Sequence, residues 1–369
     1  MRIGFDAKRL FFNRTGLGVY SRLLVKGLSQ LDPEMQLLLF ARQAAKSEFY
    51  RDFQDCKIIS SSALLWRSWR MTRDIVKHNC QIFHGLSHEL PFGIHRTNTK
   101  TIVTIHDVIF RVYPGLYPRL DRKFYHQKWK YSSRVSDLIV AVSQQTKDDL
   151  CLFYDVNPEK VRIIPPPVSL TGHPIDTAVF KQEEKLPKDF LLFVGALNKR
   201  KNIGVILEAY NIMKQSDRIP LVIVGTGPQK DALLHLIKRY KLNQFVIFKD
   251  HVSQAKLSSY YQSAMALIYP SLYEGFGIPI VEALRNKTPV ITSNISSMPE
   301  AAGPGGLLID PRDGKQLSEA ILKIRDDENL RNKLAEAGFK HSLNFLPEEI
   351  CNRQRKLYQE LIGNEKAGK

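Results

Sequence analysis

The sequence predicts an α/β protein built from two doubly wound, Rossmann-like domains. Three observations predict it. Short apolar runs alternate with helical patterns along the whole chain, as parallel strands covered on both faces require. The alternation stops at Pro165-Pro166-Pro167 and a polar stretch from Ser169 to Asp189, then restarts. Consecutive prolines fit neither a helix nor a central strand, so they read as a stiff boundary followed by a linker. The length, 369 residues, is enough for two separate cores. The resulting division is an N-terminal domain at 1–170, a C-terminal domain at 171–345 and a closing segment at 346–369.

The first strand is read at residues 2–6. Asn13-Arg-Thr-Gly16-Leu-Gly18 is a glycine loop opening a helix whose apolar face carries Val19, Leu23, Leu24 and Leu28. A dinucleotide fingerprint would place a third glycine where Ser21 stands, which argues against that use. Leu37–Phe40, Lys57–Ile59 and Gln81–His84 read as buried strands. Thr101–Ile105 is the clearest strand of this half, and it ends in His106-Asp107. The C-terminal ends of parallel strands carry the ligand crevice, so His106 is aimed at it, with Asp107 beside it as an orienting carboxylate. A further strand, Asp137–Ser143, runs into a capped helix start at Ser143.

The second half repeats the pattern. Phe190–Gly195 is a strand leading into Asn198-Lys-Arg200-Lys201-Asn202 and then a helix from Ile203. Consecutive cations at a strand end repel one another unless an anion joins them, and a nucleoside diphosphate is such an anion. Pro220–Gly225 and Phe245–Phe248 read as strands. Ala264–Ile268 leads into Tyr269-Pro-Ser-Leu-Tyr-Glu274-Gly275-Phe276-Gly277-Ile-Pro279-Ile-Val-Glu282. A strand, a glycine turn and a proline-started helix bring backbone N–H groups and the positive end of a helix dipole to one spot, which suits phosphate. Carboxylates there would repel phosphate. Glu274, and Glu282 read in the first helical turn, therefore suit sugar or ribose hydroxyls. Pro289–Ser293 and Leu307–Asp310 are the last strands. Helical patterns fill Gly314–Asn344 and Pro347–Leu361, and the polar tail from Gly363 reads as an unpacked end.

The stretch from Pro270 to Ala283, with Glu274 and Glu282 spaced as Glu-x7-Glu, resembles the signature of retaining glycosyltransferases of family 4. The resemblance continues through Pro289–Asn294 and Pro299–Gly303 and spans nearly the whole chain. It implies the GT-B fold, two Rossmann-like domains facing across a cleft, with the last helix returning to the first domain. It also implies a set of roles. His106 would bind a sugar hydroxyl beside the reacting face, and Glu274 would hold the donor sugar. Arg200 and Lys201 would neutralise the leaving diphosphate, with the amides of Gly275, Phe276 and Gly277 and without a metal. Glu282 would hold the ribose. The Gly16–Gly18 loop would let backbone approach the donor phosphates and the acceptor. Some relatives carry their arginine just after the strand-end glycine, where this chain has Ala196, so the match is closer for Lys201 than for Arg200. The loop around Asn198–Asn202 is more like that of GDP-mannose users, which implies mannosyl transfer to a lipid-linked surface polysaccharide, with no resident cofactor.

Composition is consistent with that reading. The apolar share is 43% and the charged share 25%, both ordinary for a globular chain, and no apolar run approaches a membrane-spanning length. Four scattered cysteines predict neither a zinc site nor a disulfide framework and fit a cytoplasmic protein. Net charge is +17, and Arg67–Arg134 holds 13 basic against 4 acidic residues among many aromatics. Nucleic acid, an anionic membrane face and a phosphorylated acceptor would all explain this; no nucleic-acid-binding motif appears, so nucleic acid ranks last. Ala63–Val76 reads equally as a membrane-interface segment or as a domain helix with a solvated basic face. Two other functions use the same residues: a nucleotide-sugar epimerase or hydrolase, and a non-catalytic membrane- or nucleic-acid-binding protein.

Overall fold

The computed structural model describes residues 1–169 and 175–363. The chain divides into two compact units, Met1–Val168 with Phe345–Lys369, and Ser169–Asn344. The expectation for the tail beyond Gly363 lies outside the described residues, as does part of the stretch read as a linker.

The N-terminal unit holds a seven-stranded sheet in the order β3-β2-β1-β4-β5-β6-β7. Its strands are β1 Arg2–Asp6, β2 Gln36–Phe40, β3 Lys57–Ile59, β4 Ile82–Gly85, β5 Lys100–Ile105, β6 Leu138–Ala141 and β7 Val161–Ile163. Every pairing is parallel. Apolar clusters lie on both sides, one with Ile3, Phe5, Leu24 and Ile82, the other with Phe40, Phe83, Val103 and Ile139. That is why these strands read as unbroken apolar runs rather than alternating ones. The helix Pro347–Gly363 belongs to this unit and buries Ile350, Cys351, Leu357 and Tyr358 in the first cluster.

The C-terminal unit holds a six-stranded sheet in the order β10-β9-β8-β11-β12-β13. Its strands are β8 Leu191–Val194, β9 Leu221–Val224, β10 Val246–Lys249, β11 Ala266–Tyr269, β12 Val290–Ser293 and β13 Gly306–Ile309. These pairings are parallel as well. In each sheet the strand order reverses once, between β1 and β4 and between β8 and β11. Connections leave such a point in opposite directions, so the strand ends there open a crevice where ligands bind.

Two sequence readings need correction. The stretch read as linker contains a helix, Thr177–Glu183, started by Asp176, whose carboxylate accepts from the amides of Ala178 and Val179 at 2.9 and 3.2 Å. A single buried residue, Phe180, packs edge-on against Tyr260 at 5.2 Å and anchors it. One anchor in seven residues makes no periodic signal. Ala63–Val76 is neither one helix nor wholly exposed. It forms a wide turn, Trp66–Arg70, and a helix, Met71–Lys77. Trp66, Met71 and Ile75 enter the core, while Leu64, Leu65 and Trp69 stay exposed.

Candidate active site

The reversal between β8 and β11 gathers three charged residues. β8 ends at Val194, and its loop carries a short helical turn, Lys199–Lys201. Asn198 caps that turn by accepting from the Lys201 amide at 3.2 Å. Asn202 leaves it in the left-handed region at φ 54° and donates to the carbonyl oxygens of Pro270 and Pro311. The Leu272 amide donates to the Arg200 carbonyl at 2.9 Å, and the Arg200 guanidinium donates to the Tyr273 carbonyl at 2.7 Å. The loop after β8 is thereby fastened to the loop after β11.

Across that junction Glu274 is ion-paired to both Arg200 and Lys201, the latter at 2.7 Å. Its carboxylate also accepts from Ser271 Oγ at 2.7 Å and from the Tyr269 hydroxyl at 3.1 Å. Lys201 donates to that same hydroxyl. All are buried or nearly so. Burial pushes the Glu274 carboxyl up, but Lys201 and Arg200 outweigh it and hold the group down at about 2. Burial lowers Lys201, helped by Arg200 and opposed by Glu274. The Glu274 carboxylate is therefore held ionised between its two cationic partners. Sequence reading anticipated the two cations but not their carboxylate partner. Glu274, expected to hold sugar hydroxyls, has oxygens that already serve two cations and two hydroxyls here.

Beyond Glu274 the chain reaches Gly277, the residue that starts the helix Ile278–Arg285. Gly277 stands at φ 109°, which only glycine adopts without strain, and Pro279 sits in the first turn, where a missing N–H costs nothing. Ser297 Oγ donates to the carbonyl oxygens of Glu274 and Phe276 at 3.0 and 2.9 Å, fixing the turn. Phe276 is buried. Glu282 falls in the second helical turn, not the first, because the helix begins only at Ile278. Its carboxylate accepts from the Tyr261 hydroxyl at 2.9 Å, and burial pushes its pKa up to about 7.

His106 lies in the N-terminal unit at the end of β5 and is buried. Its Nε2 is 2.9 Å from the Leu86 carbonyl, which fixes that nitrogen as the protonated one. The Leu86 carbonyl is therefore the group that orients the ring, while Asp107 Oδ1 accepts from the Ile109 amide. Tyr20 meets the His106 ring edge-on at 4.6 Å. Burial lowers its pKa to about 4, so it is neutral and offers Nδ1 as an acceptor. Behind it runs a polar chain that sequence reading missed. The Tyr20 hydroxyl meets Thr104 at 3.0 Å, Thr104 meets His84 Nε2 at 2.8 Å, and His84 Nδ1 meets the Tyr358 hydroxyl at 2.7 Å.

The Gly16–Gly18 loop has a visible local role. A Cβ on Gly18 would lie 1.7 Å from the Asn13 carbonyl oxygen, so only glycine fits. The Gly18 amide donates to the Asn13 side chain at 3.0 Å and to the Thr15 carbonyl at 2.9 Å, so this donor is engaged within its own loop. Gly16 is exposed at the start of the helix Gly16–Leu31. Among the described residues, no three His, Cys, Asp or Glu side chains cluster as metal ligands, and no helix is long and apolar enough to cross a membrane.

Two family models match, and together they account for most of the chain. Residues 14–171 match glycosyltransferase family 4, and residues 174–341 match the glycosyl transferases group 1. The chain belongs to the group 1, family 4 glycosyltransferases. It is therefore an enzyme of glycosyl transfer, and its two-sheet architecture is the GT-B fold. Among curated relatives it is 26% identical to the O-antigen chain mannosyltransferase B of Escherichia coli, over 97% of this chain and 100% of that one. It is 28% identical to the O-antigen chain mannosyltransferase RfbU of Salmonella typhimurium, over 69% of this chain and 68% of that one. Among solved structures, a sucrose-phosphate synthase from Thermosynechococcus elongatus superposes with a TM-score of 0.80 at 21% identity, covering 99% of this chain and 100% of that one.

Proposed function

We propose that this glycosyltransferase moves mannose from GDP-mannose to a lipid-linked O-antigen glycan, with retention and without a metal ion. The observation that carries the reading is the buried Arg200–Lys201–Glu274 cluster at the strand-order reversal. Two cations held beside a helix N-terminus match the pyrophosphate of a nucleotide-sugar. Breaking the anomeric bond leaves a nucleoside diphosphate with one more negative charge. Lys201 and Arg200 meet that charge without a metal, and a well-placed donor of this kind is worth about 3–4 kcal/mol of barrier. When the diphosphate arrives, both cations gain a second anion, and Glu274 becomes free to accept from a sugar hydroxyl. Glu282, on the same helix, accepts from ribose hydroxyls in its ionised form. His106, neutral and acceptor at Nδ1, takes a sugar hydroxyl. Retention rests on the resemblance of the Glu274–Glu282 stretch to the family signature, and mannose on the two mannosyltransferase relatives.

What supports a lipid-linked acceptor is the surface of the N-terminal unit. The helix Arg119–Val135 leaves Leu120 and Phe124 exposed one turn apart, at 82% and 57%, with Arg119, Lys123 and Lys130 exposed around them. Exposed Trp69 packs its ring on Phe92 at 5.0 Å, and Phe92 packs on Tyr131 of that helix at 4.7 Å. Apolar side chains with more exposed cations than acids about them, Asp121 being the exposed acid next to Leu120, suit the interface of an anionic bilayer, in keeping with action at the inner membrane face.

The test is a donor screen by mass spectrometry, with GDP- and UDP-sugars, a glycan acceptor and Glu282→Ala as control. The expected result is one hexose added from GDP-mannose, lost in the control. Consumption of donor without acceptor, giving an epimer or free sugar at full rate, would replace the reading with an epimerase or hydrolase.

A further inference from the structure

Two polar side chains at the ligand edge of the N-terminal sheet each hold a buried atom with no hydrogen-bond partner among the described residues. Ser87 and His88 follow β4 and are only 7% and 5% exposed, and among the described residues neither Ser87 Oγ nor His88 Nδ1 has a hydrogen-bond partner. A buried polar atom left unpaired costs about 1–3 kcal/mol, so each such atom calls for a partner. The fold nevertheless holds His88 firmly. Its backbone stands at φ 62°, a region costly for a non-glycine residue. Its amide donates to the Thr104 carbonyl at 2.8 Å. Its ring stacks on Trp129 at 4.5 Å and meets the edge of His106 at 5.3 Å. Strained backbone that places an unsatisfied ring against His106 is what a preformed ligand contact looks like.

The charges next door behave differently. Arg67 binds both Asp6 and Glu89, at 2.6 and 2.7 Å, and Lys128 binds Glu89 at 2.8 Å. These groups satisfy one another around a cavity of about 20 Å³, room for a single water. They have no need of a ligand, whereas Ser87 and His88 do.

We propose that Ser87 and His88 form a second sugar-binding pair beside His106, completing their hydrogen bonds on hydroxyl groups of a pyranose ring. Burial, together with the nearby Arg9, disfavours the charged form of both imidazoles, so they meet hydroxyls as neutral rings. Ser87 Oγ can donate or accept, which matches a ring that presents hydroxyls in both roles. The pair rests on the reading of this chain as a sugar transferase, and it adds residues that neither the family motif nor sequence periodicity marks. The sugar comes either from the donor or from the acceptor glycan.

The experiment uses the full chain with ¹⁵N-labelled histidine and follows the Nδ1 resonance of His88, assigned by His88→Phe. GDP, GDP-mannose and methyl α-mannoside are titrated in turn. A shift with GDP-mannose but not GDP assigns the donor sugar; a shift with methyl α-mannoside assigns the acceptor. No shift with either sugar, while GDP-mannose still raises the melting temperature, overturns the pair and leaves the transferase reading standing. No stabilisation by any GDP- or UDP-sugar overturns both. Kinetics give a second readout. His88→Phe keeps the ring stack and removes the unpaired nitrogen, so it should raise KM for the sugar-bearing substrate about tenfold at a melting temperature no lower than that of the wild type, and His88→Asn should recover part of the KM loss. Wild-type kinetics in His88→Phe would contradict the proposal.

Discussion

At the strand-order reversal of the C-terminal sheet, two neighbouring cations, Arg200 and Lys201, both pair with the carboxylate of Glu274. At the reversal of the N-terminal sheet, Asp6 and Glu89 pair with Arg67 and Lys128, and beyond them lie His88 and His106, whose charged forms burial disfavours, with Arg9 acting on both. The same topology thus carries two electrostatic settings. The first suits a dianion whose charge grows during reaction; the second suits an uncharged, hydroxyl-rich ring. Both sheets end their parallel strands at a crevice, and side chains alone decide what each crevice accepts.

The largest expected effect lies in the charged setting. Lys201→Ala should lower kcat by about 10²- to 10³-fold, measured with saturating donor, because it removes the cation that meets the charge growing on the diphosphate as it departs. Wild-type turnover in that variant would erase the distinction between the two reversals. In the neutral setting, His106→Ala should lower kcat/KM about tenfold or more while leaving the GDP-induced rise in melting temperature unchanged. A lost GDP response would place the histidine's influence on nucleotide binding instead.

Glu274→Gln sharpens the comparison through stability. Removing one partner of a buried ion cluster leaves uncompensated charge and costs about 3–5 kcal/mol. The melting temperature should drop, and GDP should restore more of it than it adds to the wild type, because the diphosphate replaces the lost anion. The pH sign follows from the depressed carboxyl of Glu274. Its stabilisation is present above the ordinary carboxylate range and is lost as pH falls toward about 2. Glu282 has the opposite sign. Its pKa is raised, so its contribution is full below the ordinary carboxylate range and fades as pH rises to about 7. Glu282→Gln should therefore flatten the melting-temperature profile between pH 5 and 8, by thermal unfolding across that range. The smallest effect on chemistry belongs to the outer surface. Leu120→Glu with Phe124→Glu should abolish co-sedimentation with anionic vesicles and leave turnover on a water-soluble acceptor unchanged.

Much of the fold was legible because buried parallel strands are continuous apolar runs. Lys57–Ile59 has the bounds its sequence pattern predicts, and the strands expected at Leu37–Phe40 and Thr101–Ile105 lie within one residue of the observed ones. The glycine turn and proline of 274–279 announce a strand-to-helix junction for local stereochemical reasons. The helix Thr177–Glu183 was not legible, since one buried phenylalanine makes no pattern. The pairing of Glu274 with Arg200 and Lys201 was not legible either. It depends on β8 and β11 being neighbours in the sheet, and no local periodicity reports a contact some seventy residues apart. Ser87 and His88 escaped notice because what marks them is a missing hydrogen bond and a left-handed backbone, both properties of the folded chain.

The buried cations of the C-terminal unit are proposed to hold a diphosphate. Calorimetric titration with GDP and with guanosine, on the wild type and Lys201→Met, tests that role most directly. GDP should bind the wild type at least about a hundredfold tighter than guanosine, with most of that margin gone in the variant. Equal affinity for the two ligands, or a margin that survives the loss of Lys201, would contradict it.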